Sequence, residues 1–388
     1  MIDERYRDDR ERRRLGSLTV YSGPTHSGKT KKLEAEAERA QRQGRRMQRL
    51  PASPDPEGLL DGLDPAAELV TVDDAQRYDD RLIAVTDELA TIHRVDVVIA
   101  GWELDYTGQP QGPVPALLCS ADVAIKLDDG VCAQPGCRNL ASRTQRIQAA
   151  DGKPERFLPV CRRHHSPQAR TADFQEGWFE EPSGSVHVIS GCMFSGKTQE
   201  LIRRLDQERY AGASIQAFKP ALDDRYAIEA VASHRDLRFP AIAVPDLEAI
   251  RMQLRPDTRV IGIDEAQFFG PEIVPLAEEL ADRGLHVIVA GLELDFLARP
   301  FGPMPLLAAH ADRLTKLQAA CQYPGCGSRQ ATRTQRLVDG VPAPSDGPLV
   351  VVGGASTYEA RCRHHHRIGA ARRVEPEPLA VGDELGEF

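Results

Sequence analysis

The sequence predicts an α/β protein in which a mostly parallel sheet, covered by helices on both faces and followed by a small cysteine-bearing lobe, occurs twice in tandem. Three observations lead to this prediction. Apolar runs typical of buried strands alternate with helix-like segments, an order that favours parallel sheets. The first run, "SLTVYSG", has a counterpart in "SVHVISG" in the second half of the chain. Cysteine pairs follow both sets of runs, which places a small lobe after each sheet.

Paired segments in the two halves indicate two copies of one domain. "AGWELDYTGQPQGPVPALLCSADVAIKL" begins at Ala100, and "AGLELDFLARPFGPMPLLAAHADRLTKL" begins at Ala290. "CAQPGCRNLASRTQRI" and "CQYPGCGSRQATRTQRL" come next, and "CRRHH" and "CRHHH" close the two copies. Because the order is the same in both halves, we predict a tandem duplication. The predicted divisions are a disordered charged tail, a first domain, a linker, a second domain and a disordered acidic tail, at residues 1–15, 16–166, 167–184, 185–370 and 371–388.

Composition excludes several classes of protein. The chain has 388 residues and a formal net charge of −9, which argues against a general nucleic-acid binder because such proteins cluster positive charge. No apolar run reaches the ~18 to 20 residues that a membrane span requires. The charged N-terminus "MIDERYRDDRERRR" lacks the apolar core of a signal peptide. We therefore expect a cytoplasmic protein with neither nucleic acid nor membrane as a partner.

Two segments fit the phosphate-binding pattern G-x-x-x-x-G-K-[ST]. They run from Gly191 to Thr198 and from Gly23 to Thr30, and each follows a predicted strand and precedes a predicted helix. Glycines allow backbone N–H groups to point at phosphate oxygens, and the helix adds its positive N-terminal end. In the second copy Lys197 would reach the terminal phosphates, while the threonine would ligate Mg²⁺. The corresponding residues of the first copy are Gly23, Gly28, Lys29 and Thr30.

Two acidic residues end the strand that should face the second loop. "RVIGIDEAQFF" places Asp264 where it can hold Mg²⁺ or its waters opposite Thr198. The next residue, Glu265, can act as a general base if it reaches an acceptor hydroxyl. The first copy has Asp73 and Asp74 at these places, so its second carboxylate is one methylene shorter. Since ~1 Å of misplacement can cost ~100-fold in rate, this change predicts an impaired first copy.

The cysteine spacing predicts a structural zinc site in each copy. Three thiolates and one imidazole give a closed tetrahedral site without an open position. The predicted ligands are Cys132, Cys137, Cys161 and His164 in the first copy, and Cys321, Cys326, Cys362 and His365 in the second. The choice of histidine stays open, since His165 could serve in the first copy and His364 or His366 in the second. Cys119 and Cys192 fall outside the pattern, and we expect them in buried apolar packing.

With these motifs in place, the second copy resembles the zinc-containing P-loop thymidine kinases of the cellular cytosolic and bacterial type. The resemblance covers about residues 185–367 and rests on "GCMFSGKT", "KPALDDRY", "IDEAQFF", "GLELDF", "PFGPMPLL", "ATRTQRL" and "VVGGASTYEARCRHH", in this order. It implies a P-loop NTPase-like fold with a zinc lobe. It also implies transfer of the γ-phosphate of ATP to the 5′-hydroxyl of thymidine, with Mg²⁺ and structural Zn²⁺. Because the family commonly assembles as a homotetramer, the resemblance favours self-association.

The resemblance also implies roles for individual residues. Glu265 matches the family's catalytic glutamate, and Asp264 matches its metal-linked aspartate. The implied ATP-binding residues are Gly191, Cys192, Met193, Phe194, Ser195, Gly196, Lys197, Thr198, Asp264 and Gln267. The implied nucleoside-pocket residues are Met193, Phe268, Phe296, Thr334, Gly354 and Tyr358. The family has a lasso loop around "VVGGASTY", which zinc would anchor between Cys326 and Cys362.

The first copy lacks parts of this pattern. It is shorter between its loop glycine and Asp73, with nothing equivalent to "LDDRYAIEAVASHRD". The Gly-Gly and the tyrosine of the lasso are also missing, and "DGKPERFLPV" stands in their place. Arg77 would put a charge where an aromatic ring should stack. We therefore predict a domain that does not transfer phosphate, although its loop could still bind ATP, and hypothesise that it stabilises the second copy as a built-in pseudo-subunit.

Three alternative functions compete with the kinase. One is a kinase for another deoxynucleoside, which the intact pocket motifs disfavour. Another is a zinc-bearing, nucleotide-sensing regulatory or binding protein, and the first copy alone would fit that description. A sensor has no need for Glu265 with its full surroundings, so this residue favours the kinase. A nucleic-acid-binding zinc module is disfavoured by the acidic total and the lack of a basic, aromatic-interleaved stripe.

Overall fold

A computed structural model of the chain describes residues 15–50, 62–127, 130–149, 154–170, 184–221, 239–351 and 357–371. All but one residue of each predicted tail, and most of the predicted linker, lie outside these ranges. The described start of that linker, residues 167–170, lies against the first cysteine lobe, where the N–H of Gln148 donates to the carbonyl of Arg170 at 2.8 Å. Within the described ranges, no helix is both long and apolar enough to cross a membrane.

The first half contains a five-stranded sheet, and all of its strand pairs are parallel. Its strands are β1 (Leu18–Ser22), β2 (Met47–Leu50), β3 (Leu69–Val72), β4 (Asp96–Ala100) and β5 (Val123–Lys126), in the order β2-β3-β4-β1-β5. Its helices are α1 (Lys29–Arg42), α2 (Arg81–Thr91) and α3 (Val114–Ser120). Strands buried on both faces read as continuous apolar runs, and accordingly Val70, Val97 and Ile99 are fully buried.

An antiparallel pair of strands forms the lobe that follows this sheet. The strands are β6 (Arg143–Ile147) and β7 (Arg156–Val160), with Arg146 opposite Phe157. Cys132, Cys137 and Cys161 pack around this pair. The predicted order of a sheet and then a cysteine lobe is therefore confirmed in the first half.

The second half repeats the arrangement with one more strand. Its parallel sheet has the order β10-β9-β11-β12-β8-β13. The strands are β8 (Ser185–Gly191), β9 (Ile215–Pro220), β10 (Ile242–Val244), β11 (Val260–Ile263), β12 (His286–Gly291) and β13 (Arg313–Leu317). The helices are α4 (Lys197–Tyr210), α5 (Leu247–Gln253), α6 (Ile273–Asp282) and α7 (Met304–His310). Its lobe contains β14 (Arg333–Val338), β15 (Val341–Pro342) and β16 (Tyr358–Arg361). Apart from the edge strand β10, the two sheets share one strand order, which confirms the predicted α/β class.

The two halves pack side by side through their edge strands and through one helix from each. Strand β5 lies against β13, and α3 lies against α7. Ala308 of α7 belongs to the apolar core of the first half, and Leu314 of β13 packs against the cores of both halves. The two sheets therefore share part of one continuous core.

Candidate active site

The loop between β8 and α4 has the backbone shape that its sequence predicts. Gly191 has φ 153° and Gly196 has φ 87°, values that side chains other than glycine rarely adopt. A Cβ atom on Gly191 would lie 2.7 Å from the carbonyl oxygen of Leu317. This oxygen belongs to the backbone and cannot easily move aside. Glycine is therefore required at the start of this loop by both conformation and space.

The lysine and threonine of this loop are anchored at its mouth. Lys197 is nearly buried, and its ammonium donates to the carbonyl oxygen of Cys192 at 2.9 Å. Thr198 Oγ1 donates to Asp264 Oδ2 at 2.9 Å. The structure thus brings together the hydroxyl and the carboxylate that the sequence assigned to Mg²⁺. Hard oxygen ligands of this kind fit that cation.

The carboxylates that follow β11 are oriented by their neighbours. Glu265 adopts a left-handed conformation (φ 53°, ψ 41°), which is unusual for a residue other than glycine. Gln267 Nε2 donates to Glu265 Oε2 at 2.5 Å, while Gln267 Oε1 accepts the N–H of Leu292 at 2.9 Å. Burial, together with the Glu265 charge, raises the pKa of Asp264 to about 6. The two carboxylates are therefore close enough to influence each other electrostatically.

Several predicted pocket residues contact β14 or the residues on it. The N–H of Met193 donates to Thr334 Oγ1 at 3.0 Å, which ties the phosphate loop to β14. Phe296 is buried, and the Arg336 guanidinium lies 3.9 Å from its ring centre. Arg336 also faces Tyr358 across β14 and β16.

Two further contacts involve predicted pocket residues. Tyr358 Oη donates to the carbonyl of Val351 at 2.9 Å. Phe268 lies 5.8 Å from Phe301, ring centre to ring centre, with the rings nearly perpendicular. The predicted Gly354 and the segment that begins at Leu222 lie outside the described residues.

The first half forms a loop of the same shape, but the hydrogen-bond partners of its lysine differ. Gly28 has φ 87°, and the ammonium of Lys29 donates to the carbonyls of Gly23 at 2.8 Å and Pro24 at 2.7 Å. Burial lowers the pKa of Lys29 to about 8. The lysine of this loop is therefore held back by its own backbone in the structure described here.

The acidic residues of the first half face arginines. Asp74 has the same backbone angles as Glu265, and Gln76 Nε2 donates to its carboxylate at 3.0 Å. Arg49 lies 3.5 Å from Asp73, so a guanidinium group occupies the surroundings of the carboxylate predicted to bind metal. Arg77, which was predicted to put a charge where an aromatic ring should stack, forms an ion pair with Asp74 at 3.7 Å.

Aromatic side chains fill the first half where the second has its pocket residues. Trp102 stands at the position of Leu292, and the Lys29 ammonium lies 5.8 Å from its ring centre. Phe157 lies 6.4 Å from Trp102 and 6.1 Å from Tyr106, ring centre to ring centre. Phe157 faces Arg146 as Tyr358 faces Arg336, so the missing tyrosine is replaced by a ring without a hydroxyl.

Each lobe assembles its four predicted zinc ligands. The ligand atoms of each set all lie within 4.8 Å of one another, and the sets are Cys132, Cys137, Cys161 and His164, and Cys321, Cys326, Cys362 and His365. The sulfur atoms of Cys137 and Cys161 are 3.9 Å apart, and those of Cys326 and Cys362 are 3.8 Å apart. Those separations fit tetrahedral thiolates at about 2.3 Å from zinc. Both clusters could therefore hold this metal.

The geometry selects one histidine in each lobe. His164 Nδ1 lies 3.3 Å from the sulfur of Cys161, and His365 Nδ1 lies 3.2 Å from that of Cys362. The alternatives bond elsewhere: His165 to the carbonyl of Tyr106, His364 to that of Gly16 and His366 to that of Phe296. Cys119 and Cys192 are buried, as predicted.

Comparison with known proteins decides the family. The family model for thymidine kinase matches residues 60–165 and 184–366, more than half of the chain. The chain belongs to the thymidine kinase family. A thymidine kinase of Deinococcus deserti is 53% identical over 195 residues, covering 47% of this chain and 94% of that protein. One from Coprothermobacter proteolyticus is 52% identical over 194 residues (50% and 92%), and one from Deinococcus radiodurans is 50% identical over 207 residues (51% and 96%).

The sequence interpretation of this thymidine kinase family member missed two buried ion pairs. Lys316 lies 2.9 Å from Glu293, and Lys126 lies 3.1 Å from Glu103. The signal was present in the repeated "ELD" and in the lysine that precedes the final leucine of both "ADVAIKL" and "ADRLTKL". These segments were used to establish the repeat, and the burial of their charges is visible only in the fold.

A cavity of about 360 Å³ lies apart from both phosphate loops. It is bounded by Leu140 and Arg162 of the first half and by His187, Arg204 and His286 of the second. Burial, followed by nearby arginines, lowers the pKa of His187 to about 4. The cavity is therefore not the place where the thymidine kinase motifs converge.

Proposed function

We propose that the second half transfers the γ-phosphate of ATP to the 5′-hydroxyl of thymidine, with Glu265 as general base. The observation that carries the proposal is the placement of Glu265 beside the Thr198–Asp264 pair at the mouth of the phosphate loop. The Gln267 amide fixes the direction of this carboxylate, as a base that must meet one hydroxyl requires. Relatives about half identical that are named thymidine kinases support the choice of acceptor.

Binding and orientation of ATP are assigned to the loop from Gly191 to Thr198. Its N–H groups and Lys197 would receive the phosphate oxygens once the lysine leaves the Cys192 carbonyl. Thr198 and Asp264 would hold Mg²⁺, which when bound neutralises charge developing on the phosphates. Burial and the Glu265 charge raise the pKa of Asp264, and a nearby cation would favour its ionised form.

The nucleoside is assigned to the side chains of Phe296, Tyr358 and Phe268. Flat apolar rings suit a pyrimidine base, and polar groups at their edges supply specificity. The hydrogen bond from the Met193 N–H to Thr334 ties the phosphate loop to β14, which pairs with the strand of Tyr358, so acceptor and donor would be held close together. Proximity of this kind is a major contribution to phosphoryl transfer.

The first half is proposed to be a degenerate copy without transfer activity. Trp102, Tyr106 and Phe157 pack together where the second half has its pocket residues. Arg49 pairs with Asp73, which disfavours a metal ion at that carboxylate. The match of the family model in two segments, and relatives whose length corresponds to about half of this chain, support a tandem duplication.

The remaining assignments follow from this function. The two Cys/His clusters are proposed to hold structural zinc, since four protein ligands leave no open position. Self-association of the chain and a cytoplasmic location are also proposed, both on the resemblance to the cytosolic and bacterial thymidine kinases.

A nucleoside panel with ATP and Mg²⁺ tests the proposed function. We expect phosphorylation of thymidine to exceed that of other deoxynucleosides by at least tenfold in kcat/KM. A preference for a different deoxynucleoside would show that the protein is a kinase whose acceptor is not thymidine. Nucleotide binding without turnover on any nucleoside would instead establish a sensor.

A further inference from the structure

A buried ion pair lies across the strand that leads into the second phosphate loop. Strand β8 lies between β12 and β13, and it ends at Gly191, where the loop begins. Lys316 of β13 pairs with Ser190 in the sheet, and Glu293 follows the end of β12. Lys316 Nζ and Glu293 Oε1 are 2.9 Å apart, with side chains 2% and 1% exposed. The pair therefore links β13 with the residues that follow β12, the two strands on either side of the end of β8.

The first half supplies most of the hydrogen-bond acceptors for this lysine. The Lys316 ammonium donates to the carbonyl of Cys119 at 2.6 Å and to that of Leu118 at 3.2 Å. Both carbonyls lie in the last turn of α3, where helix carbonyls carry negative partial charge. Within the part of the chain that the structure describes, neither carboxylate oxygen of Glu293 receives an aligned hydrogen bond. Lys316 thus supplies the charge that compensates Glu293, and Lys316 in turn depends on the first half for its hydrogen-bond acceptors.

The reciprocal pair in the first half shows what such a carboxylate can do. Lys126 lies 3.1 Å from Glu103 and donates to the carbonyl of Ala309, in the last turn of α7, at 2.5 Å. Glu103 Oε2 accepts the N–H of Gly23 at 2.7 Å. Gly23 is the first residue of the first loop, so this ion pair directly holds loop backbone.

The other end of β8 is held across the same interface. Asp312 accepts the N–H of Val186 at 2.8 Å and also pairs with Arg162 of the first half at 2.9 Å. In the mirror contact, Asp122 accepts the N–H of Leu18 at 2.9 Å and pairs with Arg363 at 2.8 Å. Each half thus fixes both ends of the strand that leads to the other half's phosphate loop.

We propose that Lys316 is a positioning residue for the catalytic phosphate loop, and that the first half acts as a built-in subunit that holds this lysine in place. The inference rests on the proposed function, because it assigns catalysis to the loop from Gly191 to Thr198. The physical reason is that a buried charge without its partner is strongly destabilising. If the ammonium is lost, Glu293 stays buried without compensation, and the end of β8 must shift to hydrate it.

Two matched variants of the full chain test this proposal. Lys316→Met and Lys126→Met each remove one buried ammonium of the same kind. We expect Lys316→Met to accelerate amide hydrogen exchange in residues 186–199 at least tenfold and Lys126→Met to change it less than twofold. For residues 18–31 the expected effects of the two variants are reversed. Lys316→Met should also raise the KM for ATP about tenfold with a smaller change in kcat, while Lys126→Met should leave both within twofold.

Equal exchange of residues 186–199 in the two variants would overturn the proposal, because a merely structural lysine would loosen both loops alike. If Lys316→Met does not fold, Glu293→Gln and Glu103→Gln serve in its place, since the amide keeps the shape and removes the charge. The same loop-selective exchange is expected from that pair, and its absence would also overturn the proposal. A wild-type chain that phosphorylates no nucleoside would defeat the proposed function, whereas the exchange measurement would still decide this inference.

Discussion

Arg162 and Asp312 lie on opposite halves of the chain, with Nε and Oδ2 2.9 Å apart. The arginine is one residue beyond Cys161 in the first lobe, and the aspartate precedes β13 in the second half. Both side chains are largely shielded from water, with 6% and 14% exposed. The contact therefore joins the first cysteine lobe to the sheet of the second half by a charge pair that solvent screens weakly.

Breaking this pair should destabilise the chain. We expect Arg162→Ala to lower the free energy of unfolding by about 3 kcal/mol, because Asp312 and Glu278 would each lose one of their two arginine partners, Arg162 and Arg143. Urea denaturation followed by circular dichroism measures the loss. Arg138→Ala changes an exposed arginine of the same lobe and should cost under about 0.5 kcal/mol. A similar small loss in both variants would contradict a stabilising role for the interface.

Activity should depend on one of the two equivalent carboxylates. Glu265→Gln should lower kcat at least 100-fold, since the amide keeps the hydrogen-bonding shape and cannot accept the proton. Asp74→Asn makes the matching change in the first half and should leave kcat within twofold. Steady-state phosphorylation of thymidine with ATP and Mg²⁺ compares the two. Equal losses would mean that both halves transfer phosphate.

Restoring the missing methylene should not revive the first half. In a chain that carries Glu265→Gln, the additional change Asp74→Glu should give no activity above the background of the single variant. The reason is that Arg49 still pairs with Asp73 and Trp102 still packs beside Lys29. Thymidine phosphorylation by the double variant, measured with labelled ATP, would show that these side chains move aside.

The phosphate loops, the acidic pair and the zinc ligands could be predicted from the sequence because each depends on residues at short, fixed spacings. Gly191 to Thr198 and Cys362 with His365 are examples, and the structure brings both sets together. The histidine in each lobe stayed open, because the two neighbouring histidines of the first lobe and the three of the second differ only in where the backbone points them. The separate carbonyl partners of the other histidines resolve that choice.

The contacts between the halves could not be predicted, because they join residues far apart in the chain. Arg333 and Arg363 look like exposed basic residues beside the cysteines, yet both are buried against Ser120 at the end of α3. Trp102 follows β4 closely, so in the sequence it resembles a further core residue of that apolar run. Only the fold places its ring beside Lys29.

Zinc should be present at two ions per chain. Atomic absorption on the purified protein measures this content. Cys326→Ser and Cys137→Ser should each lower it by one ion and lower the melting temperature, because a structural site contributes directly to folding. Cys119→Ala, at a buried cysteine outside both clusters, should leave it at two. Retention of two ions in either ligand variant would contradict the assignment.

Acid should weaken the contact between the halves through Glu278. Burial alone would raise the pKa of this carboxyl, but the hydrogen bond from His310 and the charges of His310, Arg143 and Arg162 outweigh burial and lower it from 4.5 to about 2. A carboxyl with a lowered pKa in the folded state stabilises the protein above pH 4.5. This contribution, about 2 kcal/mol after allowance for partial exposure, should be lost progressively as the pH falls from 4.5 to 2.

The difference in unfolding free energy between wild type and Glu278→Gln isolates this contribution. Urea denaturation at several pH values should give a difference that shrinks as the pH falls below 4.5, because the variant carries no titrating carboxyl at this position. Glu272→Gln, at an exposed site just before α6, should give a difference near zero throughout. A difference that grows as the pH falls would mean that Glu278 is not held ionised by the arginines of the first half.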